Sequence, residues 1–243
     1  MTLESVRREV AVGSRILAEQ RILDAFGHVS RRNPFNPSSF LISRSLAPAL
    51  VAPSDVVELD LDGEPLTGDF PKLFLERFIH AEIYRRRPDV QAIVHSHAPA
   101  VLPFTIVPTA KVRPACHMCG FLQGVSAPFE IADHAGPASD LLIRDARLGA
   151  ALAAHLGDAA IVLMRGHGFT AVGNGVPQAT YRAIYTARNC EIQLAAAQLG
   201  EPVFLTDAEA RACDATSTSQ LDRAWDLWRR AISDDFSNEE TKS

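Results

Sequence analysis

Ala92-Ile93-Val94-His95-Ser96-His97-Ala98 is a short apolar run that ends in two histidines one residue apart. Residues i and i+2 of a strand point to the same face, so His95 and His97 can converge on one point. Polar side chains at the end of a mostly buried strand are costly unless something satisfies them. The stretch therefore predicts a buried strand that ends in a pair of metal ligands.

A third histidine, His167, lies in a second strand-to-glycine turn, Leu163-Met164-Arg165-Gly166-His167-Gly168. Three imidazoles with an open fourth position are the ligand set of a catalytic divalent metal, usually zinc. Two ordinary surface or core histidines are the alternative interpretation of an isolated His-x-His pair, and His167 favours the metal. Because sites of this kind also accept manganese, iron or cobalt, zinc is expected and the other metals stay open.

The composition is that of an ordinary globular protein, with 243 residues, 47% of them hydrophobic and 22% charged. A net charge of −5 leaves no positive surplus to neutralise phosphates, which argues against nucleic acid as a partner. No apolar stretch reaches the roughly 18 residues of a membrane span. The first eight residues are charged and lack a signal-peptide core. We therefore expect a cytoplasmic protein with no membrane partner.

Two of the four cysteines, Cys116 and Cys119, have Cys-x-x-Cys spacing. Cysteines of a cytoplasmic protein are expected to be reduced. A second pair that would complete a zinc knuckle is missing from the sequence. Buried thiols are the preferred interpretation, and a redox or structural-metal role is the alternative.

Hydrophobic periodicity predicts helices and strands along the whole chain. The predicted helices cover 3–25, 73–86, 144–156, 177–199 and 219–232. The predicted strands include 40–43, 55–61, 92–97, 159–164 and 169–172, and residues 112–131 are predicted to alternate between strand and loop. Helices that flank a central sheet of mixed strands predict one three-layered α/β domain over residues 1–232. Residues 233–243 are predicted to form a disordered polar tail.

Glu76 lies near the start of the predicted helix that leads to the His95 strand, with Phe74 and Leu75 before it. A carboxylate held among apolar side chains beside a metal has its proton affinity tuned for acid–base chemistry. A solvated helix glutamate is the alternative interpretation. His80, one helical turn further on, either supports the site or is a partly buried helix histidine.

Glu76, His95-x-His97 and His167 in a Gly-His-Gly turn together resemble the class II aldolase/adducin family, over about residues 5–205. The resemblance implies a three-layer α/β/α sandwich with a central mixed, mainly antiparallel sheet. It also implies a homotetramer with active sites between subunits. By the same resemblance, the three histidines hold the metal and Glu76 is the catalytic acid/base.

The segments that bind phosphate in sugar-phosphate members of this family are altered here. This sequence has Gly27-His28-Val29-Ser30 where those members have Gly-Asn-Val-Ser. It has Ser43-Arg44-Ser45-Leu46 in place of their Thr-Gly-rich turn, and Phe74-Leu75 in place of their pair of serines. A phenyl and an isobutyl group cannot hydrogen-bond a phosphate, and burying one against them would cost on the order of several kcal/mol. The pattern instead resembles the decarboxylase branch, whose members act on dihydroxyphthalate-like or carboxy-hydroxymuconate-semialdehyde-like acids in the breakdown of aromatic compounds.

This second resemblance implies a small carboxylated substrate and cleavage of a C–C bond with release of CO2. Arg44 or His28 would hold the carboxylate. Glu76 is the first candidate for the proton donor, and His117, which falls where the aldolases have a tyrosine, is the second. The substrate contacts expected are His28, Ser43, Arg44, Phe74, Leu75 and Arg165.

Two alternatives of different kinds remain. One is an aldolase, epimerase or dehydratase that acts on an unphosphorylated hydroxyketone or sugar. The other is a non-catalytic, adducin-like interaction module, which the presence of all three histidines and the glutamate disfavours.

Overall fold

The computed structural model describes residues 1–68 and 72–232. The predicted polar tail, residues 233–243, lies outside these ranges. The helices are α1 (Leu3–Glu19), α2 (Arg77–Arg86), α3 (Leu102–Ile106), α4 (Ala132–Ala135), α5 (Ala146–Leu156), α6 (Val176–Leu199), α7 (Asp207–Thr218) and α8 (Leu221–Ala231). Short 3-10 helices cover Pro48–Leu50, Pro53–Asp55 and His117–Leu122.

Six strands form one sheet in the order β3-β2-β1-β4-β6-β5, and each neighbouring pair is antiparallel. An isolated parallel bridge joins Phe129 to Met164 on the outer strand β5. The predicted α/β fold with a mainly antiparallel sheet is therefore confirmed, and the pairs among the described strands are antiparallel throughout. The strands are β1 (His28–Arg32), β2 (Ser39–Ser43), β3 (Val56–Asp60), β4 (Ala92–Ser96), β5 (Ile161–Met164) and β6 (Gly168–Gly173).

The side chains of β4 alternate between the two faces of the sheet, and each face has its own helices. Ala92 and Val94 belong to the buried cluster that includes α1 and α6, whereas Ile93 belongs to the cluster that includes α2 and α5. Because the side-chain period of a strand is two, His95 follows Ile93 onto the face that α2 covers. The predicted three-layer α/β/α arrangement is confirmed, and it places the histidine pair on the α2 side.

Helix α1 ends earlier than the predicted helix over residues 3–25. Ile22 and Leu23 fit the helical period, but Arg21 has a φ of +58° and breaks the helix. The N–H groups of Ile22 and Leu23 both donate to the Leu17 carbonyl oxygen, at 2.8 and 3.1 Å. These two side chains are buried in a turn rather than in a helix. A hydrophobic period reports burial, so it can extend past the last helical turn.

Helix α7 is absent from the sequence interpretation, because Ala210 is its one buried residue and it has no apolar stripe. A capping box between Thr206 and Glu209 is the signal that could have found it. The prediction of strands within residues 112–131 was wrong. Part of this segment, His117–Leu122, is a 3-10 helix that packs on α7 so closely that a Cβ atom on Gly120 would lie 2.2 Å from the Ala210 carbonyl oxygen.

Candidate active site

Three imidazole nitrogens meet at one point beside the end of β4. The Nε2 atoms of His95 and His97 are 2.9 Å apart, and that of His167 lies 3.2 and 3.1 Å from them. The side chains of His95 and His167 are buried, and His97 is half-buried. The sequence prediction that these three histidines come together agrees with this geometry.

Local backbone geometry brings the two histidine segments into contact. Strands β4 and β6 pair with Ser96 opposite Phe169, so the Gly-His-Gly turn lies against the end of β4. A Cβ atom on Gly168, whose φ is +157°, would lie 2.2 Å from the Ser96 carbonyl oxygen. Glycine is therefore required at the point where His167 approaches His97.

Hydrogen bonds on the outer side of two rings aim their inner nitrogens at the centre. Nδ1 of His167 donates to the Leu141 carbonyl oxygen at 2.6 Å, which puts the proton on Nδ1 and the lone pair on Nε2. Nδ1 of His95 lies 3.2 Å from the Thr170 hydroxyl oxygen, which can accept in the same way. Partners of this kind orient metal-binding histidines, so the donor set fits a divalent ion.

Glu76, the residue that precedes α2, completes the cluster. Its Oε1 accepts the backbone N–H of Ile143 at 3.0 Å, and its Oε2 lies 3.3 Å from Nε2 of His167 and 3.6 Å from Nε2 of His95. The four ligand atoms all lie within 4.8 Å of one another. Glu76 is thus fixed by one oxygen and presents the other to Nε2 of His95 and of His167.

The charges of this cluster are coupled. Burial raises the pKa of Glu76, but hydrogen bonding and attraction to the His167 and His95 rings in their doubly protonated form outweigh burial and hold that pKa below the usual range. Burial lowers the pKa of His167, and the Glu76 carboxylate more than offsets this effect. Burial, with His95 and His167 close by, lowers the pKa of His97 to about 3. Glu76 is therefore ionised and His97 is neutral, as metal ligation requires.

A cavity of about 580 Å³ opens from the cluster to the surface. Apolar side chains dominate its wall, and the Phe74 ring lies 4.5 Å from the ring of His28. Leu75 is 56% exposed at the mouth. The predicted site residues in the wall are His28, Phe74, Leu75, Glu76 and His97. The cavity can therefore receive an apolar or aromatic body with a few polar groups at its inner end.

His28 reaches the cavity from β1. It pairs in register with His95, and the two ring centroids are 5.1 Å apart. Its Nδ1 lies 2.6 Å from Nε2 of His80, which is fully buried. Burial, with His80 and His95 nearby, lowers the pKa of His28 well below its ordinary value, so its ring is neutral.

Besides the buried ligand candidates His95 and His167, four predicted site residues lie outside the wall of this cavity. Ser43 is buried at the end of β2, and the Arg44 guanidinium donates from Nε to Oδ1 of Asp55 at 2.8 Å. Arg165 is paired with Glu130. His117 begins a 3-10 helix and lines a separate cavity of about 690 Å³. The predicted contacts of these residues with substrate remain predictions.

The sequence interpretation missed other residues of the site. Lys72 and Leu142 line the cavity, and the Leu141 carbonyl and the Ile143 amide hold His167 and Glu76 in place. The positive charge of Lys72, two residues before Phe74, is a signal that could have been used. Backbone groups carry no signal of residue type, so Leu141 and Ile143 could not have been found.

Membrane insertion through a helix receives no support from the structure. None of the described helices is both long and apolar enough to span a bilayer.

Comparison with known proteins identifies the family. The model of the class II aldolase and adducin N-terminal domain matches residues 8–194, so the chain belongs to this family. A solved structure of an aldolase II superfamily protein from Pseudomonas syringae superposes with a TM-score of 0.78 at 23% identity, covering 96% of this chain and 93% of that one. The predicted fold and family are both confirmed.

Curated relatives indicate the kind of reaction. Decarboxylase tropJ from Talaromyces stipitatus is 43% identical to this chain. The alignment covers 90% of this chain and 91% of the relative. A 3,4-dihydroxyphthalate decarboxylase from Arthrobacter keyseri is 30% identical over 203 residues, which cover 76% of this chain and 75% of the relative. The prediction of an enzyme of the carboxy-lyase type is confirmed.

Proposed function

We propose that the protein is a metal-dependent decarboxylase of a hydroxylated aromatic or muconate-type carboxylic acid, acting in the metabolism of aromatic compounds. The observation that carries the proposal is the convergence of three histidine Nε2 atoms and Glu76 at the inner end of a largely apolar cavity. The names of the relatives support the reaction type, and the cavity wall supports the substrate class.

His95, His97 and His167 would hold the divalent ion, with zinc expected and manganese, iron or cobalt also compatible with this donor set. When bound, such an ion supplies Lewis-acid stabilisation of negative charge on a neighbouring substrate oxygen. The donor set has the convergent lone pairs and the outer hydrogen bonds that this role needs.

The apolar wall favours a planar substrate body over a sugar phosphate. Phe74 and Leu75 replace hydroxyl donors at the place where a phosphate would need them. The Phe74 ring packs on His28 and leaves an aromatic surface beside the cluster. Leu46 and Leu142 extend this apolar lining.

Two residues are candidates for holding the substrate carboxylate. His28 lies in the wall, within ring contact of His95, whereas Arg44 is paired with Asp55 outside it. We therefore place the carboxylate at His28. Arg44 and Arg165 would need to exchange their partners before they could take this role.

Glu76 is the group best placed to transfer the proton: it is ionised in the free protein, so it would first take a proton from the bound substrate and then deliver it to carbon. When CO2 leaves, the electron pair of the broken C–C bond remains on the ring carbon, and an acid must protonate that carbon. Oε2 of Glu76 faces the cluster, while Oε1 is held by Ile143. His117 lies at a different cavity of the same chain. It would act only from a neighbouring subunit, in the homotetramer with shared active sites that the family resemblance implies.

Elemental analysis combined with a CO2-release screen tests the proposal. The panel holds ortho-dihydroxylated benzoates and phthalates, carboxy-hydroxymuconate semialdehydes, and aldol substrates with and without phosphate. We expect about one divalent ion per chain and CO2 release from the hydroxylated aromatic or muconate acids alone. Aldol cleavage without CO2 release would support the aldolase alternative. A protein that binds no metal and turns over nothing after metal addition would be a binding module.

A further inference from the structure

A chain of four buried polar side chains leads away from the candidate active site. Nδ1 of His28 lies 2.6 Å from Nε2 of His80, Nδ1 of His80 lies 2.6 Å from Oγ of Ser30, and Oγ of Ser30 lies 2.8 Å from the Tyr84 hydroxyl. The relative exposures of these residues, in the same order, are 4%, 0%, 0% and 1%. These four side chains are thus sealed from solvent except where His28 borders the cavity.

The sequence places these residues on two facing elements. His28 and Ser30 are i and i+2 on β1, so both point to the α2 face of the sheet. His80 and Tyr84 are i and i+4 on α2, so both point to the sheet. The Phe40 ring stacks on His80, with ring centroids 6.3 Å apart, and limits its rotation.

Tyr84, the last of the four side chains, fixes the direction of the hydrogen bonds between them. Among the described residues, Oγ of Ser30 is the one acceptor within reach of the Tyr84 hydroxyl proton, because the Arg32 backbone N–H near this hydroxyl can only donate. If Ser30 donated to Tyr84, the buried Tyr84 proton would have no acceptor, which costs about 1–3 kcal/mol. Tyr84 therefore donates to Ser30, Ser30 donates to Nδ1 of His80, and Nε2–H of His80 donates to Nδ1 of His28.

This direction determines which nitrogen of His28 carries the proton. Its Nδ1 accepts from His80, so the proton of the neutral ring lies on Nε2. Nε2 has no hydrogen-bond partner among the described residues, and the ring lies between Phe74 and His95 in the cavity wall. The opposite tautomer would present a lone pair to the cavity and repel an anionic oxygen.

We propose that the Tyr84–Ser30–His80 chain fixes His28 as a neutral Nε2–H donor that binds an anionic oxygen of the substrate. His80, Ser30 and Tyr84 are positioning residues, since they act through His28. The identity of that oxygen as the substrate carboxylate rests on the proposed function. The tautomer of His28 does not depend on the proposed function, so an experiment can contradict either one alone.

Nitrogen-15 NMR of histidine-labelled, zinc-loaded protein tests the tautomer without any substrate. We expect His28, assigned from the spectrum of His28→Gln, to carry its proton on Nε2. His80→Gln has an amide that can turn either way, so it should give a mixture of tautomers or the opposite one. Ser30→Ala, a smaller change, should also loosen the preference. A proton on Nδ1 of His28 in the unaltered protein would overturn the proposal.

Calorimetry with phthalate, an aromatic dicarboxylate without hydroxyl groups, tests the binding role. His80→Gln should weaken phthalate binding about twofold if the two tautomers are equally populated, and about tenfold if the Nε2–H form falls to about a tenth, because only that form donates to the carboxylate. His155→Gln removes a histidine whose ring hydrogen-bonds the Ala127 carbonyl at the surface, and it should leave binding unchanged. Unchanged binding in His80→Gln with a changed tautomer would also overturn the proposal. Failure of CO2 release with the tautomer as expected would instead contradict the proposed function.

A second, independent observation concerns the Cys-x-x-Cys segment. The Sγ atoms of Cys116 and Cys119 lie 3.2 Å apart. Cys116 is half-buried and reachable from solvent, whereas Cys119 is fully buried behind it. The hydrogen bond from Cys119 lowers the pKa of Cys116 to about 6, which favours its thiolate. An accessible thiolate beside a buried thiol is the arrangement of a dithiol that forms a disulfide.

We propose that Cys116 and Cys119 form a reversible disulfide with a small-molecule disulfide such as oxidised glutathione as the oxidant. The Cys116 thiol loses its proton to solvent, and its thiolate attacks one sulfur of the oxidant and releases a glutathione thiolate, which takes up a proton. The Cys119 thiol then loses its proton, attacks Cys116 in the mixed disulfide and releases the second. The protein loses two electrons and two protons, and one glutathione disulfide becomes two thiols.

Alkylation after equilibration in glutathione buffers, followed by mass spectrometry, measures this reaction on the metal-loaded protein. We expect Cys116 and Cys119 to become protected together as the buffer becomes more oxidising. Cys116→Ser should abolish this paired protection, while Cys213→Ser, at the other half-buried cysteine, should retain it. Two thiols that stay alkylatable in fully oxidised buffer, or a glutathione adduct that persists on Cys116, would overturn the proposal.

Discussion

Gly168 lies so close to Ser96 that a Cβ atom at position 168 would come within 2.2 Å of the Ser96 carbonyl oxygen. We expect Gly168→Ala to separate the turn from β4 and to move His167 away from His97. Metal content should fall, and the free energy of unfolding should decrease by about 1–3 kcal/mol. Gly175→Ala is the control, since its extended backbone suits any residue and its new Cβ would meet the flexible side chain of Arg31. Elemental analysis and urea unfolding check both; full metal content in Gly168→Ala would contradict the argument.

Removal of a predicted ligand should release the metal. We expect His95→Ala and His167→Ala to lose the ion on dialysis and to lose turnover, because each supplies one of three converging nitrogens. His155→Ala changes a histidine outside the cluster and should retain the ion. A His95→Ala protein that keeps metal and activity would remove His95 from the ligand set.

Chelation of the metal should lower stability in the unaltered protein. An ion that binds only the folded state stabilises it by about 4 kcal/mol when the free metal is a thousand times its Kd. The melting temperature should therefore fall on addition of a chelator and recover on addition of excess zinc. A melting temperature that does not depend on metal would show that the histidine cluster holds no ion in solution.

Glu76→Gln should separate proton transfer from metal binding. The amide keeps the size of the side chain and still accepts the N–H of Ile143, but it cannot deliver a proton. We expect metal content to be retained and kcat to fall by about 10²–10⁴-fold. Glu82→Gln, on the same helix and paired with Arg85, should leave kcat unchanged. Normal turnover in Glu76→Gln would move the proton donor elsewhere, with His117 next to be tested.

Stability should depend on pH through His80. Burial lowers the pKa of His80 to about 3 from its ordinary value of 6.5. Below pH 6.5 the unfolded chain takes up this proton and the folded chain does not, so the free energy of unfolding decreases as the pH falls from 6.5 towards 3. In His80→Gln this dependence should be smaller by roughly one proton. Urea unfolding of both proteins at several pH values measures this difference. The contributions of His95, His97 and His167 are common to both proteins and cancel. An equal pH dependence of the free energy of unfolding in the two proteins would contradict the prediction.

The sequence was sufficient to predict that His95, His97 and His167 come together, because the signals for this convergence are local. His95 and His97 share a strand face by spacing alone, and the glycines around His167 mark a tight turn. Alternating and helical periods also gave most helices and strands. Those patterns report burial, which is why the predicted first helix extended to Ile22 and Leu23.

Contacts between distant segments could not be predicted in this way. Arg44 has the charge needed for a carboxylate, but Asp55 takes that charge, and the pairing depends on how the loop between them folds. The contact of His28 with His80 joins residues 52 positions apart, and it exists only because β1 and α2 pack face to face. His117 likewise lines a different cavity from Glu76, and its local sequence carries no signal of that separation.

The two outer strands of the sheet are already engaged on their outward sides. Phe129 donates its N–H to Leu163 of β5 and accepts the N–H of Arg165, at 2.8 and 3.0 Å, while Leu66 donates to Glu58 of β3 at 3.0 Å. Exposed strand edges are where a foreign chain or a second copy can extend a sheet. Copies of this protein are therefore left to associate through helices and loops, and its sheet is protected against the edge-to-edge growth that leads to aggregation.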